Sequence, residues 1–143
     1  MQYREMDLSD YDNIISLWQE AEGIVVRDAD SREGIQKYLQ RNPSLSFVAT
    51  KEDVIVGTIM SGHDGKRGYI QHLVVASEIR KSGVASELLS RCIDALKLEG
   101  IIKSHIHVLS NNKLAKNYWS NRGWVERTDI GVYSYINGGN EST

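Results

Sequence analysis

Residues 73–86, Leu73-Val74-Val75-Ala76-Ser77-Glu78-Ile79-Arg80-Lys81-Ser82-Gly83-Val84-Ala85-Ser86, run from an apolar strand through a polar turn into a helix. A helix N-terminus carries unpaired N–H groups and a partial positive charge, so such a turn is a ready seat for phosphate. Gly83 lets the main chain approach an anion closely, and Ala85 keeps the next turn unobstructed. Two common phosphate loops are excluded. The dinucleotide fingerprint needs G-x-G-x-x-G, and this turn holds only Gly83; a G-x-x-x-x-G-K-[ST] loop is absent. By itself the segment reads equally well as an ordinary strand-to-helix turn with a glycine for packing.

Upstream, residues 2–6 read as a short strand. Ser9 then reads as an N-cap with Asp12 as its capping-box partner, followed by Ile14, Ile15, Leu17, Trp18 and Ala21 at helical spacing, with Gly23 as the stop. Asp30 or Ser31 opens a second helix carrying Ile35, Tyr38 and Leu39, which Pro43 forbids from continuing. Residues 45–50, 54–60 and 69–75 read as three strands, with polar turns between them. Downstream of Gly83, Val84, Leu88, Cys92, Ala95 and Leu96 form one apolar stripe on a long helix that Gly100 ends. Residues 101–109 read as a strand, 114–122 as a helix, and 124–125 and 132–136 as two closing strands. The order is that of a mixed α/β fold: three antiparallel strands, a strand–helix–strand crossover, and helices on both faces of the sheet.

At 143 residues the chain has room for one domain, read here as 1–137 with a frayed tail at 138–143. A hydrophobic content of 41% with 25% charged residues is that of a globule rather than a disordered chain. No apolar run reaches the roughly 18 residues of a membrane helix, so no membrane partner is expected. The opening MQYREMDLSD has no apolar core of a secretory signal, and a single cysteine forms no internal disulfide; both favour the cytoplasm. A net charge of −2 speaks against nucleic acid as a partner.

Arg80-x-x-Gly83-x-Ala85, preceded by Leu73-Val74-Val75 and followed by Asn112-x-x-Ala115 and Gly123-Trp124, resembles the GNAT superfamily of acetyl-CoA-dependent N-acetyltransferases. The likeness covers residues 2–136, and the stretch 57–68, with His63-Asp64-Gly65-Lys66-Arg67-Gly68, is similar to a small bacterial YpeA-like branch. The resemblance implies a mixed, mostly antiparallel sheet with a V-shaped splay between two central parallel strands. It implies acetyl-CoA as cosubstrate and no metal. Leu73, Val74 and Val75 would offer backbone groups to the pantetheine arm, a form of strand addition. Lys81, Ser82, Gly83, Val84, Ala85 and Ser86 would wrap the diphosphate, with charge from Arg80 or Lys81. Lys81-Ser82 replaces the family's frequent glycine and basic pair. Asn112 matches a residue that contacts the coenzyme arm, and reads equally as a helix N-cap.

Acetyl transfer needs a neutral amine, and deprotonating a lysine-like amine at pH 7 costs roughly 4–5 kcal/mol. His107 is the first candidate base, since imidazole is the side chain that titrates nearest neutrality; His72 is the second. Each also reads as a structural strand histidine. His105 and His107 share a strand face but lack an evident third metal ligand. Family members place a tyrosine acid seven residues after the matching asparagine; here that position is Trp119, with Tyr118 one helical step of about 100° away, so either a distorted helix brings Tyr118 into use or water protonates the thiolate. Loop 21–30, with Glu20, Glu22, Asp28 and Asp30, would face a cationic acceptor, or else is simply solvated; Arg27 argues for an acceptor carboxylate instead. The expected reaction is direct transfer to a primary amine of a small molecule or of a peptide or protein N-terminus, because Cys92 sits on the apolar stripe as an inert thiol. The alternative is a non-catalytic acyl-CoA-binding or regulatory module. The closing strands are placed to pair across the two-fold axis of a homodimer.

Overall fold

Asp7, rather than Ser9, opens the first helical segment. Its carboxylate accepts from the Ser9 N–H at 2.9 Å, and Asp10 reaches back to the Asp7 N–H at 2.9 Å. This reciprocal capping box sits on a 3-10 turn, Leu8–Asp10, that leads into α1, Tyr11–Glu20. A charged carboxylate at this end also complements the helix dipole. The computed structural model describes residues 1–21 and 23–143, which form two compact units, Met1–Ile106 and His107–Thr143.

The first unit contains β1 (Gln2–Glu5), α1, α2 (Arg32–Arg41), β2 (Phe47–Lys51), β3 (Val54–His63), β4 (Gly68–Val75), α3 (Val84–Leu98) and β5 (Ser104–Ile106). The strands lie in the order β1-β2-β3-β4-β5. All pairs are antiparallel except β4 with β5, which is parallel. Ser31 caps α2 through its hydroxyl, which accepts from the Gly34 N–H at 3.1 Å. The helices cover opposite faces. Ile14, Trp18 and Ile35 pack with Val48, Met60 and Val74 on one face. α3 lies against the other, where a Cβ on Gly57 would come within 3.1 Å of both Val84 Cγ1 and Leu88 Cδ1. The bare backbone at Gly57 therefore lets the N-terminal turn of α3 settle directly on β3, opposite its partner Val75 on β4.

β4 contains a bulge. Thr58 pairs with Val74 and Met60 with Gln71, so Ile59 alone opposes His72 and Leu73. His72 takes φ +51°, the left-handed conformation that the extra residue of such a bulge often requires. A bulge re-aims its strand, and the parallel pairing stops just before it: Gly68, Tyr69 and Ile70 pair with β5, and the rest of β4 does not. The expected strand over 101–109 is accordingly cut to three residues. At the far end of the sheet, His63 holds Glu99 at 2.8 Å and ties the β3–β4 hairpin to the end of α3.

The second unit holds α4, Lys113–Asn121. Trp119 is buried and meets Trp124 edge-on, with ring centroids 4.8 Å apart. The two expected closing strands, 124–125 and 132–136, do not form. Alternation in Val132-Tyr133-Ser134-Tyr135-Ile136 fits a strand, but a strand exists only when its N–H and C=O groups meet a neighbour. No ladder reaches these residues among those described, and Tyr133 and Tyr135 are almost fully exposed. Among the described residues no helix is long and apolar enough to cross a membrane.

Candidate active site

The β4 bulge is held by side chains from three other segments. The Trp18 indole N–H donates to Thr58 Oγ1 at 2.8 Å, and the Thr58 hydroxyl donates to the His72 carbonyl at 3.0 Å. Trp18 and Thr58 are both fully buried. The His72 ring lies 4.2 Å from the Trp18 ring, and its Nε2 meets Asp30 Oδ1 at 2.9 Å. Asp30 is anchored in turn: the Arg27 N–H donates to Oδ2 at 3.2 Å, and the Tyr11 hydroxyl donates to its carbonyl at 2.9 Å. Burial alone would raise the Asp30 pKa. The hydrogen bond to His72, the attraction of that ring whenever it is protonated and the Arg27 N–H outweigh burial and hold the carboxyl below its ordinary value.

Asp30 is therefore not a solvated acid facing an acceptor, because it is buried against His72. Asp28 and Glu20 are exposed, and Glu22 lies outside the described residues. The Asp30–His72 pair was not legible as a motif, since the two residues are separated by a helix and two strands.

Leu73, Val74 and Val75 continue β4 past the bulge, bonded to β3 on one side and past the end of β5 on the other. A 3-10 turn, Ser77–Ile79, follows. Lys81 and Gly83 then take φ +65° and +87°, and the Ser82 hydroxyl donates to the Ile79 carbonyl, which shapes the turn. Gly83 is the N-cap of α3 and supplies no side-chain cap; the first helical bond runs from the Glu87 N–H to the Gly83 carbonyl at 3.0 Å. The N–H groups of Gly83, Val84 and Ala85 thus precede the ladder and meet no backbone acceptor among the described residues. A Cβ on Gly83 would touch nothing within 4 Å, so the space in front of the turn is open. Arg80, Lys81 and Ser82 are exposed there, while Ser86 begins the outer face of α3.

In the second unit, Asn112 Oδ1 accepts from the Ala115 N–H at 3.0 Å, the helix cap expected of it. His107 is exposed, and no hydrogen bond reaches it among the described residues. Tyr118 has a buried hydroxyl with no hydrogen-bond partner, and its ring lies 3.7 Å beneath the Arg122 guanidinium carbon. α4 is regular through Tyr118 and Trp119, so no distortion brings the tyrosine round to the tryptophan's side. Cys92 is fully buried, its Sγ donating to the Leu45 carbonyl at 3.3 Å, and burial pushes its thiol up to about 12. That thiol is inert, as its place on the apolar stripe predicts. Among the described residues no three His, Cys, Asp or Glu side chains gather as a metal site.

The sequence matches the acetyltransferase (GNAT) family over residues 11–124, which takes in residues of both units. It is 32% identical over 112 residues to an acetyltransferase of Pectobacterium atrosepticum, covering 78% of this chain and 79% of that one. The fold is similar to that of Ard1 from Thermoplasma volcanium (TM-score 0.75, 18% identity, 87% of this chain and 82% of that one). It is similar also to the PaiA N-acetyltransferase of Thermoplasma acidophilum, solved with coenzyme A (TM-score 0.74, 18% identity, 85% and 87%). A bulged strand that outruns its parallel neighbour, ending in an open helix N-terminus, suits an acyl carrier bearing a diphosphate, and the chain belongs to the GNAT family of acetyltransferases.

Proposed function

We propose that this acetyltransferase moves an acetyl group from acetyl-CoA directly to a primary amine of a small molecule or of a peptide or protein N-terminus. The observation that carries this reading is the open turn before α3: the Gly83, Val84 and Ala85 N–H groups precede the helical ladder, on a chain of this family. The diphosphate would rest on those N–H groups, with Lys81, Ser82 and Ser86 around it and the Arg80 and Lys81 charges nearby. The pantetheine amides would pair with the edge of β4 at Leu73, Val74 and Val75, where β5 has ended. A backbone N–H near Val75 would then stabilise the oxyanion of the tetrahedral intermediate. Residues 1–137 act as one catalytic domain in this reading, supported by the family match across both units.

For the base, the geometry favours His72 over His107. His72 is mostly buried beside the bulge and already hydrogen-bonded, whereas His107 stands exposed without a partner among the described residues. For the acid, Tyr118 is the candidate from its own face of the regular α4, with water as the other proton source: a buried hydroxyl without a partner costs about 1–3 kcal/mol and would be relieved by a departing thiolate. Asn112 would contact the coenzyme arm through its free amide group while its oxygen caps α4.

The test is direct. Acetyl-CoA at millimolar concentration should raise the melting temperature, because it binds only the folded chain. A panel of amino acids, polyamines, aminoglycosides and N-terminal peptides should include acceptors that release free thiol from acetyl-CoA. Absence of any melting shift with acetyl-CoA or CoA would refute the reading.

A further inference from the structure

The geometry points to Asp30 as a positioning residue for His72: it holds the imidazole in its Nε2–H form and leaves Nδ1 as the nitrogen that receives the acceptor's proton. This inference rests on the acetyltransferase reading above, with His72 as its base. Both side chains are nearly buried, with 13% exposure at His72 and 10% at Asp30. A carboxylate only accepts, so at 2.9 Å it selects the tautomer with the proton on Nε2 whenever the ring is neutral. Nδ1 has no hydrogen-bond partner among the described residues, and it is not among the sealed, unpartnered atoms. It is thus an accessible lone pair on a fixed ring.

The surroundings leave the pairing little freedom. Asp30 is the charged group bonded to the ring, while the Trp18 ring packs against it at a 38° tilt and Thr58 holds the residue's carbonyl. Tyr11 and the Arg27 main chain meet Asp30, not His72. The Asp30 carboxylate therefore cannot turn away without breaking two bonds at once, while the Tyr11 hydroxyl fixes its main chain. The cluster also links loop 21–30 to β4, so the segment nearest the expected acceptor is tied to the base that would serve it.

The proton balance is simple. Nδ1 takes one proton from the acceptor ammonium, freeing the lone pair that forms the N–C bond to the acetyl carbon. The C–S bond breaks, its electron pair leaves on sulfur, and the second proton lost from nitrogen ends on the thiol. The proton on His72 then returns to water.

The test uses Asp30→Asn, His72→Gln and the double variant, with the fastest acceptor of the amine panel. Asparagine keeps the shape but turns an N–H toward Nε2, which drives the ring proton onto Nδ1. The expected result is a fall in kcat of about 10²-fold or more for Asp30→Asn, with KM for acetyl-CoA changed by less than about threefold. The double variant should be no slower than His72→Gln alone, since both act through one ring. Nitrogen-15 NMR of the wild type should show Nδ1 as the unprotonated nitrogen of neutral His72. An active wild type whose Asp30→Asn variant keeps kcat within about twofold overturns the positioning role and leaves the acetyltransferase reading intact. A wild type that acetylates no amine of the panel takes both down. Should Asp30→Asn fail to fold, the wild-type spectrum decides, and a protonated Nδ1 in the neutral ring overturns the inference.

Discussion

His72 and Gly83 lie at the two ends of one short stretch, both with positive φ, yet they are built from opposite materials. At Gly83 the main-chain N–H groups meet no backbone acceptor among the described residues, and a Cβ there would touch nothing within 4 Å. Around His72 three side chains, from α1, the Asp28–Asp30 turn and β3, close into a bonded cluster. A diphosphate varies little in shape and is well served by fixed backbone donors. A proton has to be taken at one atom in one orientation, which requires side chains whose rotamers are themselves held.

Gly83→Glu should have the largest effect, because it places a carboxylate and a Cβ where the diphosphate would sit. Affinity for acetyl-CoA measured by calorimetry should fall at least about 100-fold. Gly83→Ala isolates the backbone contribution: it should cost about 1–2 kcal/mol of stability for a non-glycine residue at φ +87°. An unchanged affinity in the glutamate variant would show that the turn does not hold the coenzyme.

Thr58→Val sharpens the other side of the comparison. It keeps the volume but leaves the buried Trp18 N–H without an acceptor and the bulge carbonyl without its donor. Denaturant unfolding should show a loss of about 1–3 kcal/mol, with activity falling further than stability explains. A variant as stable as the wild type would mean that the bulge is held by the ladder alone.

Tyr118→Phe should act in the opposite sense on the two readouts. Removing a buried hydroxyl that has no partner should leave the melting temperature unchanged or raise it. Turnover should fall roughly tenfold, below the usual range for acid catalysis because a thiolate is a good leaving group. Equal rates would exclude Tyr118 as the acid.

The smallest effect concerns acid stability. The folded-state pKa of Asp30 lies below its unfolded value, so its contribution is fully present above the unfolded pKa and is lost as pH falls through the folded one. The stability difference between the wild type and Asp30→Asn should therefore shrink between about pH 5 and pH 2. A difference that grows with acid would contradict the direction of the shift.

The contrast between the two sites also explains how much was legible in the sequence. The Gly83 turn is local: strand, cations, glycine and helix follow one another, so the sequence order itself marks where the helix begins, at Val84. The helices and the first four strands follow from periodicity for the same reason. The Asp30–His72 pair depends on a bulge at His72, and no residue type signals a bulge there, because histidine replaces the glycine that would have marked it. The shortened β5 follows from that bulge. The expected strand over 132–136 failed for a different cause: alternation describes one strand's faces and says nothing about whether an edge is available to pair with it. Asp7 displaced Ser9 as the cap because the two candidates stand two residues apart and only geometry separates them.

The most direct measurement is a crystal structure of the protein grown with acetyl-CoA. The account predicts diphosphate oxygens within hydrogen-bond distance of the Gly83, Val84 and Ala85 N–H groups, and the thioester alongside β4 beyond Ile70. An ordered coenzyme seated elsewhere, with the turn before α3 empty, would contradict it.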